Sequence, residues 1–464
     1  MKDKDILIEK FIEFEKRYDL FSLEINNIKI WDFVRFEIYS EIKKQKNNFV
    51  ETKKSIRSNI IQNIFPILGQ ILKIFFSTFK YKIKFDKEIL FIGHSRRKYN
   101  SGSFIDIYSD PIIELINEKY EVDFYEYPDN FSHHTPTKYK VGYLDVLELT
   151  TSFYTLGANY FINNQDYDKI NKLTELINQN FVESVNIKSI ILRNLKKYKF
   201  SYNRLNSLLD GSKIKLIILV ESYNFINKVL ISVANKKNIY VCELQHGSIG
   251  TSHIAYNYAY GQTINSLPDE IFLWGKYWAN RIRIQSKLSV TGFPYIENHA
   301  FNLHHSKINK NILVVSQWTI GYKLILEINR IASKLPKYNF YFKLHPLEYK
   351  NYNNYSSLSL QKNIIVIKDE YDSYDLFKKC STQIGVYSTL LVEGIAFGLK
   401  TFVIPIQGYE FYLDLINKKY IEILDDYKKI NLKNNKINHA ENINYFWQNN
   451  SSKNILARIQ KLMK

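Results

Sequence analysis

The chain of 464 residues exceeds the usual size of one domain, so we expect two globular domains with additional elements. Hydrophobic residues make up 45% of the composition and charged residues 24%, which excludes a disordered chain and one embedded entirely in a membrane. The 64 basic residues against 46 acidic ones give a net charge of +18, which favours anionic partners, although an AT-rich coding bias would also enrich lysine.

Residues 1–86 are predicted to form an N-terminal helical and membrane-associating segment, because apolar residues such as Phe11, Phe14 and Trp31 recur at helical spacing. The charged start of the chain has no apolar region typical of a secretory signal. The two cysteines exclude a disulfide framework. These features predict a cytoplasmic protein.

The most apolar stretch, Asn59–Phe85, is interrupted by polar residues and is too broken to predict a transmembrane span. Its apolar residues lie at helical spacing, and Lys73, Lys80, Lys82 and Lys84 gather towards its end. We therefore predict a helix that lies on the anionic surface of the inner membrane and makes the protein peripheral. A helix packed on the protein's own core is the alternative.

Short apolar runs separated by helical segments predict a Rossmann-like domain over residues 87–300. The predicted strands are Ile89–Ile92, Val122–Tyr125, Leu216–Val220, Ile239–Leu244, Glu270–Trp274 and Leu288–Thr291. The predicted helices between them include Asn164–Leu195 and Tyr223–Asn238.

The alternation of strands and helices resumes in residues 301–464 and predicts a second Rossmann-like, doubly wound domain. Its predicted strands are Ile312–Ser316, Phe340–Leu344, Ile364–Ile367, Gln383–Val386 and Thr401–Ile404. In such α/β sheets the ligand binds at the carboxyl ends of the strands, so the residues that follow each strand are the candidates for function.

Three residues at strand ends of the first domain are candidates for catalysis. Glu243 and His246 lie at the end of the strand Ile239–Leu244, and Glu221 follows the strand Leu216–Val220. An imidazole near its ordinary pKa could act as a general base towards an acceptor hydroxyl. Gly93–Arg97, at the end of the first strand, could touch the acceptor.

The second domain presents candidates for donor binding after three of its strands. Alternation along the strand Phe340–Leu344 would place Lys343 and His345 on one face, and Pro346 would end the strand. Two such groups side by side suit a phosphate. The first loop of the domain, where phosphates often bind, contributes Ser316, Gln317, Trp318 and Thr319.

A helix start follows the strand Gln383–Val386 and completes the predicted donor site. Ser388 can cap a helix that continues through Leu391 and Ala396, and the amide groups of a helix N-terminus favour phosphate or carboxylate. Tyr387 and Thr389 flank this cap. Glu393 shares a helical face with Thr389 and could accept hydrogen bonds from ribose hydroxyls.

Several motifs are absent from the sequence. It contains no phosphate-binding loop of the GxxxxGK[ST] type, no GxGxxG fingerprint, no paired CxxC spacing and no convincing DxD cluster. We therefore expect no cofactor and no metal. No recognised nucleic-acid-binding module or concentrated basic helix is present, so we expect no nucleic acid partner.

The order of these motifs resembles that of bacterial glycosyltransferases of the GT-B fold that build capsule and lipopolysaccharide. The His345-Pro346 and Ser388-Thr389 pairs are similar to those of sialyl-, polysialyl- and Kdo transferases, and the His246-Gly247 step to that of teichoic-acid glycerophosphotransferases. The resemblance covers roughly residues 210–410. It implies two Rossmann-like domains facing a cleft, after the N-terminal helical extension.

The resemblance also implies roles for individual residues. Lys343 and His345 would contact the phosphate of a nucleotide-activated sugar. Ser388 and Thr389 would contact the same phosphate or a sugar carboxylate, and Glu393 the ribose. A glycan or lipid-linked glycan would be the acceptor, and a single displacement would invert the anomeric carbon.

Two questions remain open at this point. His246 matches the catalytic histidine of glycerophosphotransferases, whereas sialyltransferases use an acidic base, for which Glu221 or Glu243 would stand in. The donor could be a CMP-linked acidic sugar, a nucleotide-diphosphate sugar or a CDP-polyol. A nucleotide-sugar epimerase and a non-catalytic subunit of a polysaccharide assembly complex are the other candidate functions.

Overall fold

The computed structural model describes residues 3–46, 83–129, 132–157, 162–181, 185–300, 309–351, 353, 355, 361–430 and 439–464. The helices of these residues are α1 (Asp3–Arg17), α2 (Trp31–Lys46), α3 (Asp110–Ile116), α4 (Asp145–Gly157), α5 (Asn164–Asn180), α6 (Ile187–Leu209), α7 (Phe225–Lys236), α8 (Lys276–Ala279), α9 (Pro294–Ala300), α10 (Gly321–Lys334), α11 (Ser373–Lys379), α12 (Thr389–Ala396), α13 (Leu413–Asn417), α14 (His439–Phe446) and α15 (Ser451–Leu462).

The strands follow the same chain order. They are β1 (Glu24–Ile25), β2 (Ile28–Lys29), β3 (Ile89–Ile92), β4 (Lys98–Asn100), β5 (Ser103–Ile105), β6 (Val122–Glu126), β7 (Gly142–Tyr143), β8 (Leu216–Val220), β9 (Tyr240–Leu244), β10 (Glu270–Leu273), β11 (Lys287–Val290), β12 (Asn311–Val315), β13 (Asn339–Lys343), β14 (Ile364–Ile367), β15 (Thr382–Gly385), β16 (Lys400–Val403) and β17 (Glu422–Ile423).

The chain divides into two compact units. Unit 1 comprises Met1–Leu273, Trp278–Val290 and Ser452–Lys464, and unit 2 comprises Trp274–Tyr277 and Thr291–Ser451. These boundaries differ from the predicted domains 1–86, 87–300 and 301–464, because the ends of the chain both join unit 1.

The last helix, α15, joins unit 1 because it buries an apolar face there. Ile455 and Ile459 lie in the same core as Phe91 and Phe272 of the sheet. The Arg458 guanidinium donates through Nε to both carboxylate oxygens of buried Glu270, at 2.8 and 2.9 Å. Helix α15, at the end of the sequence, is therefore part of the core of unit 1.

The sheet of unit 1 has the strand order β11-β10-β9-β8-β3-β6-β7, and all neighbouring strands are parallel. The central strand β8 is buried along its whole length, as expected for a parallel sheet covered on both faces. The strand order reverses between β3 and β8, so the loops after these two strands diverge and leave space for a ligand.

Helices α1 and α2 form part of the core of unit 1. Phe11 and Trp31 are fully buried in a cluster that also contains residues of α5 and α6. Beside them, the guanidinium of Arg35 pairs with the carboxylate of Glu15 at 2.7 Å, and both side chains are almost fully buried. These two helices therefore belong to the core of unit 1.

The sheet of unit 2 has the strand order β14-β13-β12-β15-β16-β17, again with parallel neighbours. The order reverses between β12 and β15. The loops that follow these two strands carry Ser316–Thr319 and Tyr387–Thr389, so both predicted loops lie at this reversal point.

The predicted strands agree closely with the structure, and Ile89–Ile92, Leu216–Val220 and Ile364–Ile367 have the predicted bounds. The prediction of one continuous helix over Asn164–Leu195 is wrong. Helix α5 ends at Asn180, and α6 begins at Ile187. The side chain of Asn186 accepts a hydrogen bond from Ser189 N and caps α6.

The predicted membrane segment lies outside the described residues, except for its last three positions. There, Ile83 and Phe85 are buried in the core of unit 1. In the parts of the chain that the structure describes, no helix has the length and apolar character needed to cross a membrane.

Candidate active site

The carboxyl edge of the first sheet opens at the loop after β3. A Cβ atom at Gly93 would lie 2.6 Å from Asp106 Oδ2, so only glycine allows this approach. The same Oδ2 accepts a hydrogen bond from His94 N at 2.9 Å. Asp106 thereby holds the start of this loop at the reversal point of the sheet.

A cavity of about 280 Å³ lies at this edge. Its polar lining contains the carboxylates of Glu148 and Glu221 and the ammonium group of Lys197. Hydroxyl, amide and aromatic groups complete the lining, from Ser95, Thr151, Ser152, Asn224, Tyr127 and Phe225. Because most of these lining residues carry hydrogen-bonding groups and the space is small, the cavity suits a compact polar ligand.

Glu221 combines a strained backbone with an altered acidity. Its φ angle of 68° lies in the left-handed region, and Asn227 Nδ2 donates to its carbonyl oxygen at 2.9 Å. Burial, and then the neighbouring Glu243 carboxylate, raise the pKa of Glu221 to about 7. This carboxyl group is therefore poised to exchange a proton near neutral pH.

Glu243 has no exposed surface and acts inside the unit. Its Oε1 accepts from Ser222 N at 3.0 Å and from the Tyr256 hydroxyl at 2.6 Å. The predicted role of Glu243 as a base that meets an acceptor is wrong for this structure, because its carboxylate is enclosed. Its contacts instead hold the residue that follows Glu221.

His246 lies among aromatic rings at the end of β9. Tyr223 Oη is 3.4 Å from His246 Nε2, and the Tyr108 hydroxyl donates to the His246 carbonyl at 2.7 Å. Burial, together with His94 and His253, lowers the pKa of His246 to about 3. The expectation of an imidazole near its ordinary pKa is therefore wrong, and the ring is neutral at physiological pH.

The carboxyl edge of the second sheet is organised by a buried carboxylate, Glu348, which was not among the predicted site residues. Glu348 is 2% exposed. Its Oε1 accepts from the Ser316 hydroxyl at 3.1 Å, and its Oε2 accepts from His345 N at 2.8 Å. Two of the predicted donor-binding residues, from the loops after β12 and β13, are thus joined through one side chain.

The side chain of Lys343 donates hydrogen bonds to the loop after β14. The strand β13 ends at Lys343, whose Nζ donates to the carbonyls of Lys368 at 2.5 Å and Tyr371 at 3.0 Å. These bonds secure the loop after β14, and the prediction that Lys343 and His345 together bind a phosphate stays a prediction. Pro346 is exposed and begins a short 3₁₀ helix.

The loops after β12 and β15 meet through two hydroxyl groups. The Thr319 hydroxyl is hydrogen-bonded to the Tyr387 hydroxyl. Trp318, beside Thr319, is 51% exposed, and Gln317 is partly buried. The four predicted residues Ser316, Gln317, Trp318 and Thr319 therefore line the reversal point of the second sheet, next to Tyr387.

The predicted helix cap after β15 is confirmed. Ser388 is the N-cap of α12, and its side-chain oxygen accepts from Leu390 N at 3.4 Å. Tyr412 braces the cap, since its hydroxyl donates to the Ser388 carbonyl at 2.5 Å. Thr389 begins the helix, and Glu393 lies one turn later. The pKa of Tyr295 is raised by burial first, then by the charges of Asp372 and Asp375, and last by that of Glu393.

Among the described residues, no group of three or more His, Cys, Asp or Glu side chains is arranged to hold a metal ion. The metal independence expected from the sequence therefore stays a prediction.

The residues missed at both edges do not follow the predicted strands. Glu348 lies in a short 3₁₀ helix and Lys197 in α6, whereas Asp106 directly follows β5, a strand that was not predicted from the sequence. The spacing of Glu348 three residues after His345 is the one local signal that could have identified it.

Comparisons with known proteins place the fold. No family model and no curated protein match the chain. A putative UDP-N-acetylglucosamine 2-epimerase from Listeria monocytogenes is similar in structure, with a TM-score of 0.50, 12% identity, and coverage of 81% of this chain and 96% of that one. At this identity the likeness establishes the fold alone. The predicted α/β class, two Rossmann-like doubly wound domains of the GT-B type, is confirmed.

Two further solved structures have lower scores. UDP-GlcNAc 2-epimerase from Methanocaldococcus jannaschii has a TM-score of 0.47 at 11% identity, covering 80% of this chain and 99% of that one. MurG of Acinetobacter baumannii has a TM-score of 0.41 at 11% identity, covering 81% of this chain and 99% of that one.

Proposed function

We propose that this protein is a glycosyltransferase that moves a sugar from a nucleotide-activated donor to a glycan or lipid-linked glycan of a bacterial surface polysaccharide. The observation that carries the proposal is the different chemistry of the two sheet edges. The edge of unit 1 has a cavity with a carboxyl group of pKa about 7, from Glu221. The edge of unit 2 has a capped helix start, hydroxyl groups and His345.

The edge of unit 2 suits the donor nucleotide. The positive end of the dipole of α12 would attract a phosphate, and the Ser388 cap, to which Leu390 N donates, holds that end of the helix in place. His345 and Ser316 are held nearby by Glu348, and Thr319 and Tyr387 by each other. We assign the donor phosphate to His345, Ser388 and Thr389, with Lys343 shaping the adjacent loop. Glu393 remains the candidate for the ribose hydroxyls.

The cavity of unit 1 suits the acceptor. Its volume of about 280 Å³ is at the small end of ligand pockets, which fits a single sugar residue rather than a long chain segment. Glu221 lies in its wall and is the general base in our proposal. His246, neutral and close to Tyr223, orients the loop beside that base or the acceptor itself.

The reaction that follows from this assignment is a single displacement. Glu221 takes the proton of an acceptor hydroxyl while that oxygen attacks the anomeric carbon, and the bond to the nucleotide phosphate breaks. His345 and the start of α12 stabilise the negative charge that develops on the leaving phosphate. One displacement inverts the configuration at the anomeric carbon. A CMP-linked acidic sugar or another nucleotide sugar fits this scheme. With a CDP-polyol, the acceptor oxygen would instead attack the phosphorus of the polyol phosphate and release CMP.

A nucleotide-sugar 2-epimerase is the second candidate, favoured by the fold that this chain shares with the putative epimerase from Listeria monocytogenes. Such an enzyme needs no acceptor. The cavity of unit 1, with Glu221 in its wall, offers a place for an acceptor and favours the transferase.

The test begins with thermal stabilisation of the full chain by CMP, CDP, UDP, GDP and dTDP, because a ligand that binds the folded state raises the midpoint of unfolding. The preferred nucleotide then selects an activated sugar, which is incubated with and without an oligosaccharide acceptor. Acceptor-dependent release of nucleotide is the expected result. Interconversion of the free nucleotide sugar would identify an epimerase. Stabilisation by none of the nucleotides would overturn both candidates.

A further inference from the structure

The hydrogen bonding of Glu348 points to a role that the strand-end residues alone do not reveal. Its carboxylate accepts from the Ser316 hydroxyl, from His345 N and from the Tyr355 hydroxyl, the last at 2.5 Å. All three are neutral donors. A buried carboxylate held in this way is rigid, because loss of any one bond leaves a desolvated lone pair.

We propose that Glu348 is a positioning residue that fixes His345 for contact with the donor phosphate. The nucleotide part of the proposal rests on the function proposed above. One carboxylate oxygen of Glu348 accepts from His345 N, and the other accepts from the Ser316 hydroxyl in the loop after β12. Glu348 therefore sets the spacing of two loops that would share one phosphate.

The ring of His345 is oriented by the same turn. Leu347 N donates to His345 Nδ1 at 3.2 Å, and Glu348 N donates to the His345 carbonyl at 2.8 Å. With Nδ1 accepting a hydrogen bond, the proton of the neutral ring lies on Nε2. Nε2–H is the group that a phosphate oxygen requires as a donor.

Gly321 shows that the carboxylate occupies a space made for it. A Cβ atom at this position would overlap Glu348 Oε1 and would crowd the Tyr355 hydroxyl. No left-handed φ is involved at Gly321, so the backbone would accept alanine, and the obstacles are the side-chain oxygens of Glu348, Tyr355 and Ser316. Gly321→Ala therefore displaces Glu348 and its hydroxyl partners without changing their chemistry.

The test compares Glu348→Gln with Gly321→Ala in the full chain. Glutamine keeps the volume but offers one acceptor oxygen, so its amide group must face either His345 N or the two hydroxyls. The first measurement is the imidazole ¹⁵N signal of His345, assigned by its absence in His345→Ala. Both variants should change the ring signal, because displacement of Glu348 moves the turn in which Leu347 N donates to His345 Nδ1. The second measurement is the affinity for the nucleotide that best stabilises the wild type. This affinity should weaken about tenfold to a hundredfold, the usual effect of losing a residue that hydrogen-bonds a ligand-binding group.

Glu327→Gln is the matched control, since it makes the same chemical change on the outer side of α10, where Glu327 pairs with exposed Arg330. It should leave both measurements unchanged. If Glu348→Gln does not fold, Gly321→Ala decides. An unchanged His345 signal or unchanged affinity in a folded variant overturns the proposal. If the signal moves while the wild type binds no nucleotide, the positioning role stands and the proposed function fails.

Discussion

Burial, rather than residue type, assigns the acid and base roles at the edge of unit 1. Glu221 and His246 both follow strands of the same sheet, but their surroundings move their acidities in opposite directions. Burial beside Glu243 raises the pKa of Glu221 to about 7, and burial beside other imidazoles lowers the pKa of His246 to about 3. Near neutral pH, the carboxylate is therefore the better base.

Glu221→Gln should reduce transfer by about a hundredfold to ten-thousandfold, the usual contribution of a general base, and should leave nucleotide affinity unchanged. In the wild type, transfer should fall as pH drops below about 7, because protonation removes the base. Single-turnover rates measured from pH 5 to 9 check both expectations. A glutamine variant with the wild-type rate and profile would exclude Glu221 as the base.

The carboxyl group of Glu221 should also make the stability of the folded protein depend on pH. Its folded-state pKa of about 7 lies above the ordinary 4.5, so the folded state binds the proton more tightly and stability decreases as pH rises between these values. The loss amounts to roughly 3 to 4 kcal/mol at most, from the difference between these two pKa values. Urea unfolding of Glu221→Gln should show a smaller loss of stability over this window than the wild type.

His345→Ala and His246→Ala should separate donor binding from the acceptor side. His345→Ala should weaken nucleotide binding and cost about 2.7 to 4 kcal/mol in the transition state, as when an oxyanion donor is removed. His246→Ala should retain nucleotide affinity and reduce turnover, because its ring orients the acceptor side of the proposed site at the edge of unit 1. Calorimetric titration with the preferred nucleotide distinguishes them. Wild-type affinity and turnover in His345→Ala would move the donor site elsewhere.

At the scale of single elements, α1 and α2 are bound to unit 1 by a buried charge network. Arg35 pairs with Glu15, and it also donates to the carbonyls of Ile254 and Asn257 at 2.8 and 3.0 Å. The guanidinium lies over the ring of Tyr258, with its central carbon 4.1 Å from the ring centroid. This network joins the first helices of the chain to the segment that follows His246.

Arg35→Ala should lower the free energy of unfolding by about 3–5 kcal/mol, because Glu15 would keep a buried, uncompensated charge. Arg193→Ala is the matched control: its partner Glu37 is partly exposed, and the loss should stay within about 1 kcal/mol. Urea unfolding of the full chain measures both. Equal losses in the two variants would show that the Arg35 network does not hold α1 and α2 in place.

The segment Asn59–Phe85 carries the prediction of membrane association. Replacing Lys73, Lys80, Lys82 and Lys84 with glutamate should reduce binding to vesicles that contain anionic lipid, since each basic residue near such a surface contributes about 1 kcal/mol. Co-sedimentation at low and high salt tests this. Binding that is unchanged by the substitutions, or insensitive to salt in the wild type, would disprove the surface helix.

At the scale of the whole molecule, two parallel sheets with the same reversal in strand order supply two separate edges. In each sheet, the strand that comes first in sequence lies at the reversal point, next to the fourth. Each edge therefore gathers residues that are far apart in sequence, such as Gly93 with Glu221 and Thr319 with Tyr387.

Transfer should persist when divalent cations are removed with EDTA, because the proposed donor site stabilises the leaving phosphate with His345 and a helix N-terminus. The full chain would be assayed for nucleotide release with and without the chelator. A complete loss of activity that Mg²⁺ or Mn²⁺ restores would contradict the cation-independent mechanism.

Local features of this protein could be predicted from the sequence alone. Strands such as β8 must be apolar throughout, since both faces of a parallel sheet are covered, and Ser388 caps α12 through atoms only a few bonds away. The tertiary structure decided what depends on distant neighbours. The enclosure of Glu243, the pKa values of Glu221 and His246, the link of Glu348 to Ser316 and the joining of α15 to unit 1 all require residues far apart in sequence. Desolvation and charge interactions act through space, so sequence periodicity cannot reveal them.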